Sequence, residues 1–161
     1  MTSFDNFQTI FSLCDKYNDF SVMNSLALCY EQDEEYDMMM KCYLTIIFPQ
    51  CFPYHTDDSN EPCDNCSIKN DSIVAMINLG EYYKTINNFD KMKKYYLMAI
   101  EQNDSEAMFR LGYHYHFIET NYDEMKKYYL MSIDLGNDES MYYLGNYYET
   151  IEKNYDLMKK Y

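Results

Sequence analysis

The sequence predicts an all-α chain built as a right-handed αα-solenoid of short helical hairpins, and three observations predict it. The phrase "KMKKYYLMAI" at Lys91 returns as "EMKKYYLMSI" at Glu124 and in part as "LMKKY" at Leu157, and Asp90, Asp123 and Asp156, which open each copy, lie 33 residues apart. A second phrase keeps nearly the same period: Leu79-Gly80, Leu111-Gly112 and Leu144-Gly145. Between these marks apolar residues recur at three and four residues, the helical period. Self-similarity at a fixed spacing of roughly 20 to 50 residues marks units that bury their apolar faces only by stacking.

The elements follow in chain order. In "DNFQTIFSLCDKYND", Phe7, Ile10, Phe11 and Cys14 take the places of Met92, Tyr95, Tyr96 and Ala99, so a second-type helix is expected over 4–16. Leu26-Ala27 stands for Leu79-Gly80 and Asp37 for Asp90, which predicts helices over 19–32 and 37–48. The stretch 51–70, "CFPYHTDDSNEPCDNCSIKN", has no helical period and reads as an inserted loop. Ala75, Leu79 and Tyr83 then form the stripe of a helix over 71–86, with its partner over 90–102. In the next repeat Asp104 is a favourable N-cap, and Ala107, Leu111 and Tyr115 line a helix over 104–118. Glu119-Thr120-Asn121 breaks the pattern, and Asp123 is expected to cap a helix over 123–135 with Met125, Tyr128, Tyr129 and Ser132 on its buried stripe. Gly136 ends that helix, as a C-terminal glycine should. Helices over 138–151 and 155–161 complete the chain. The organisation is one repeat domain: a leading helix 1–17, a repeat 18–50, the insert 51–70, repeats 71–103 and 104–136, and a partial repeat 137–161. Gly112 costs its helix about 1 kcal/mol relative to alanine; its return at Gly80 and Gly145 implies that a bare backbone lets the next helix come close.

Composition narrows the function classes. The chain has 161 residues, few prolines and glycines, and 47% apolar residues, a globular rather than a disordered balance. Its net charge of -14 repels a phosphate backbone, so nucleic acid is not an expected partner. No stretch reaches the roughly 18 apolar residues of a membrane span, and "MTSFDNFQTIFSLCDKYNDF" lacks the basic start of a secretory signal. A cytoplasmic protein with reduced thiols is expected. Twenty tyrosines, with Arg110 as the single arginine, are what AT-rich codon usage produces.

The pattern Ala75-x3-Leu79-Gly80-x2-Tyr83, followed by "KKYYLMAIEQND" and Ala107, resembles the Sel1-like repeat, a relative of the tetratricopeptide repeat. The resemblance covers nearly all of the chain outside the insert. The composition also resembles repeat proteins of giant DNA viruses of amoebae, which would put the protein in host cytoplasm. The resemblance implies a non-enzymatic protein-binding scaffold or adaptor. It further implies a concave surface from the first helices, showing Ile77, Glu81 and Lys84, then Phe109, Tyr113 and His116, then Tyr142, Asn146 and Glu149. Exposed aromatics flanked by acids suit a peptide or helix that carries basic residues.

Two other features bear on chemistry. Cys51-x3-His55-x7-Cys63-x2-Cys66 places four soft ligands within the insert, a set that could hold a structural zinc as the alternative, a zinc-stapled module. Lys93-Lys94, Lys126-Lys127 and Lys159-Lys160 would align into a basic ridge, read as a solvated face. His114 and His116, two apart on a helix, face different ways and make a poor metal pair. There is no Gly-rich phosphate loop and no nucleophile beside a base, so no enzyme is expected and no cofactor beyond that possible zinc. The phrase that breaks off at Tyr161 leaves a hairpin face uncovered, so self-association through an end is expected.

Overall fold

The computed structural model describes residues 3–17, 19–49 and 72–161. Every regular element among them is a helix: α1 (Ser3–Tyr17), α2 (Ser21–Gln32), α3 (Tyr36–Ile47), α4 (Ile73–Thr85), α5 (Phe89–Ile100), α6 (Ser105–Phe117), α7 (Tyr122–Asp134), α8 (Asp138–Thr150) and α9 (Tyr155–Met158). The chain is therefore all-α over these residues, with the nine elements in the predicted order. The last is shorter than the predicted 155–161. None of the described helices is long and apolar enough to cross a membrane. The chain divides into two compact units, Met1–Tyr82 and Tyr83–Tyr161.

In the first unit α1 packs on α2 and α2 on α3. Phe7, Met23, Ala27, Met39 and Ile47 are removed from solvent entirely. Ala27, which stands in the register of the later glycines, is thus a contact position here too. Cys14 is buried, as its place on an apolar stripe predicts, and Cys42 of α3 is buried too, which pushes its thiol up to about 12. Such a thiol stays protonated and behaves as a small hydrophobe. Asn78 donates to the Tyr43 hydroxyl at 3.2 Å, and the rings of Tyr36 and Tyr82 stack at 5.3 Å.

In the second unit each helix packs on its successor from α5 to α9, most extensively at α6–α7. The predicted stripe of α7 is buried in full: Met125, Tyr129 and Ser132 are inaccessible and Tyr128 nearly so. Ser132 donates to the Ser105 carbonyl at 2.7 Å, so a hydroxyl at this small-residue position ties α7 to the start of α6. The reason for Gly112 is on the same seam. A Cβ there would stand 2.7 Å from Cδ1 of Tyr129, a fully buried ring with nowhere to go. At Gly145 the nearest atom, in Tyr161, is 3.5 Å away, ordinary contact distance.

The turns correct one expectation. Asp123 does not cap α7. Asn121 does, its side chain accepting from Glu124 N, and Asn88 and Asn154 cap α5 and α9 in the same way. Asp90, Asp123 and Asp156 lie in the first turns instead, where their charge still complements the helix dipole. Asp104 is the N-cap expected of it, accepting from Ala107 N at 2.7 Å, and Asn137 fills that role for α8. The N-cap residues of α3 and of α5 to α9 each follow a residue of positive φ, at Glu34, Asn87, Asn103, Thr120, Gly136 and Lys153. A tight turn through the left-handed region is thus the shared joint before α3 and before α5 to α9, and at Thr120 it is made with a β-branched residue that disfavours it.

The glycine geometry gives an expected contrast. Gly112→Ala gains helix propensity but overpacks Tyr129, for a net loss of about 1 kcal/mol. Gly145→Ala meets no obstacle and gains up to about 1 kcal/mol. Urea unfolding midpoints of the two variants check this; equal shifts would count against the close approach.

Candidate functional site

The described residues most suited to contact another molecule lie in the second unit, on the faces of α6 and α8. Phe109, Tyr113 and Phe117 recur at four-residue spacing and so share one face of α6. Tyr143 of α8 meets all three, with ring centroids at 5.7 Å from Phe109, 5.4 Å from Tyr113 and 5.9 Å from Phe117. Tyr142 stands edge-on to Tyr143 at 5.3 Å. The five rings therefore form one continuous cluster. Phe117 remains 48% exposed and Tyr142 66% exposed, and these large apolar surfaces face water. Further along α8, Asn146 and Glu149 are also exposed.

The residues expected to share a concave surface separate into three groups. Phe109, Tyr113 and Tyr142 are brought into the ring cluster, with Asn146 and Glu149 on the same helix as Tyr142. Ile77 and Glu81 are half-buried on α4 and belong to the first unit. His116 corrects the expectation, because its side chain turns inward and is buried. The rings of Phe117, Tyr122, Tyr129 and Tyr147 surround it, and its Nδ1 lies 3.4 Å from the Tyr129 hydroxyl. His114 is buried as well. Residues two apart do face different ways, but α6 has α5 on one side and α7 on the other, so both directions lead indoors. Burial lowers the pKa of His116 below the ordinary imidazole value.

Phe117 and Tyr143 were not singled out by sequence. Phe117 carried a signal, since it continues the four-residue spacing of Phe109 and Tyr113. Tyr143 carried none, because the register of the previous repeat places Arg110 there.

Three of the six lysines of the expected ridge, Lys93, Lys126 and Lys127, are paired with carboxylates. Lys93 forms an ion pair with Glu119, and Lys126 with Glu152 at 2.6 Å. The two pairs are 33 residues apart at both ends, and each glutamate has a second partner in register: His114 Nε2 at 3.0 Å from Glu119, and the Tyr147 hydroxyl donating to Glu152 at 2.9 Å. The lysine partners, first among the causes, hold both carboxyls below their usual range. Lys127 pairs with Glu124 at 3.0 Å. Partly exposed pairs of this kind contribute a few tenths of a kcal/mol to about 1 kcal/mol each, and they reduce the free positive charge of the ridge by half. Cys51, His55, Cys63 and Cys66 lie outside the described residues. Among the described residues no group of three or more His, Cys, Asp or Glu side chains is placed to hold a metal.

No protein-family model matches the chain, and no curated protein sequence matches it. Among solved structures it is similar to immunity protein PA5088 from Pseudomonas aeruginosa, at 20% identity and a TM-score of 0.46, covering 98% of this chain and 67% of that one. It is also similar to immunity protein Pa5087 from Pseudomonas aeruginosa, at 19% identity and a TM-score of 0.45, covering 94% of this chain and 72% of that one. At these values the likeness carries no argument about function.

The buried histidine has a pH consequence. His116 binds its proton more weakly in the fold than in the unfolded chain, so stability is complete above about pH 6.5 and declines as pH falls through that value toward the lowered folded pKa. Glu119 and Glu152 titrate lower and do not share this window. The urea midpoint is expected to drop between pH 7.5 and pH 5.5 (values chosen about a unit either side of the unfolded pKa), and to drop less in His116→Phe. An unchanged slope in that variant would show that the histidine is not the cause.

Proposed function

We propose that this protein is a non-enzymatic interaction module whose hairpins stack as in an αα-solenoid and which binds a protein or peptide through the aromatic faces of α6 and α8. One observation supports the reading above the others: five touching rings, Phe109, Tyr113, Phe117, Tyr142 and Tyr143, of which two leave about half or more of their surface in water. Tyrosine and phenylalanine held in place by neighbouring rings lose little further conformational freedom on contact, and this is the character of the few residues that dominate protein interfaces. The resemblance of the repeats to Sel1-like and tetratricopeptide hairpins points the same way.

The test is a selection of random displayed peptides on the folded chain. Selected peptides are expected to bind about tenfold or more weakly to Phe117→Glu. Recovery of the same peptides with the same affinity on that variant would remove the α6 face from consideration.

The ligand spacing of Cys51, His55, Cys63 and Cys66 supports a separate proposal, a structural zinc in the insert. Protein purified without added metal is then expected to carry zinc in a one-to-one ratio, and Cys63→Ser to lose it. Absence of bound zinc from the unaltered chain rejects the proposal.

A further inference from the structure

We propose that the exposed face of α8 is a receptor for a cationic peptide segment, with Tyr142 as the ring that takes a lysine or arginine and Glu139 and Glu149 as its carboxylates. This rests on the interaction reading above and names the chemistry of the partner. Glu139, Tyr142, Asn146 and Glu149 follow each other at three, four and three residues, so they lie along one side of the helix, and all four are exposed. The stripe spans about 15 Å at 1.5 Å per residue. Helix α8, "DESMYYLGNYYET", contains three acids and no base.

The preceding repeat shows what these positions look like when satisfied within the molecule. There Glu106, in register with Glu139, pairs with Arg110 at 2.7 Å. Tyr113, in register with Asn146 and four residues after the counterpart of Tyr142, has the Lys84 ammonium over its ring at 5.8 Å. Tyr-ring and carboxylate sites on α6 are thus both supplied with cations from this chain. On α8 no ion pair reaches Glu139 or Glu149, and no cation stands over Tyr142, among the described residues.

Local stability accounts for Glu139 but not for Glu149. Glu139 lies in the first turn, where a carboxylate complements the helix dipole. Glu149 lies near the end of α8, where a carboxylate opposes it. At the same place after the helix glycine α4 carries Lys84 and α6 carries His116. The charge at this position is reversed against the helix's own preference, it is exposed, and it sits two turns from an exposed tyrosine ring. A partner's ammonium or guanidinium over Tyr142 gains cation–π attraction and a nearby carboxylate. The ring cluster beside it accepts the apolar residues of the same segment.

The probe is a synthetic amphipathic peptide about four helical turns long, with leucines on one side and arginines on the other, and an analogue in which every arginine is glutamine. The arginine peptide is expected to bind the unaltered chain about tenfold more tightly than the glutamine analogue at moderate salt. Tyr142→Ala, and separately the pair Glu139→Lys and Glu149→Lys, are expected to erase most of that difference while leaving the helical circular dichroism unchanged. The pair Glu101→Lys and Asp134→Lys changes net charge equally at exposed sites elsewhere and is expected to leave most of the difference in place. The proposal is overturned if that control pair weakens binding as much as the α8 pair, or if the α8 variants bind normally. If both peptides bind equally and only Phe117→Glu weakens them, the aromatic reading stands and the cation assignment falls. Failure of both peptides to bind at about 1 mM removes both.

Discussion

The ring of Tyr129 against the bare backbone of Gly112 is the contact on which the second unit depends. Because residue 112 has no Cβ, α7 approaches α6 closely enough for the ring to be fully buried. The same ring stacks on Phe109 and Tyr143 at 6.2 and 6.3 Å and places its hydroxyl near His116. A glycine that weakens its own helix therefore sets the interhelical spacing, and the spacing sets where the surface rings stand. The aromatic cluster that faces water is the outer layer of an aromatic core, held from behind rather than scattered over the surface.

Repetition extends to the polar contacts. The Lys93–Glu119–His114 and Lys126–Glu152–Tyr147 groups occupy equivalent places, with the third member changed from an imidazole to a phenol. Both third members satisfy the same carboxylate, so what the repeat keeps is a polar partner rather than a residue type. This arrangement pairs some of the positive charge within the fold and leaves unpaired negative charge elsewhere, on α8 among other places. The chain's net charge of -14 is thus not spread evenly over function: part of it is absorbed in the fold, and part stands beside exposed rings.

Much of the secondary structure was legible because short helices here announce both ends. Capping residues such as Asp104 and Gly136 mark the ends, and each predicted helix has an observed counterpart within a few residues. The cap of α7 was misplaced by two residues because Asp and Asn both favour the N-cap, and "NYD" at Asn121 offers one of each. The cap there is the residue that directly follows the positive-φ turn at Thr120, two residues before Asp123. The candidate site was legible only in part. Phe109, Tyr113 and Tyr142 followed from the resemblance to helical repeats, whereas Tyr143 joined them through neighbours on another helix.

The sequence by itself determined the helices, their order, their period and the small residues at their seams, because these depend on contacts within about one turn of the chain and on a pattern repeated often enough to read. Only the tertiary structure decided which exposed-looking side chains stay exposed. His114 and His116 went inside because α6 is covered on two sides; Lys93 and Lys126 met glutamates 26 residues on. Burial and charge pairing are properties of neighbours brought from elsewhere in the chain, and a one-dimensional period does not specify how many sides of a helix its neighbours will cover.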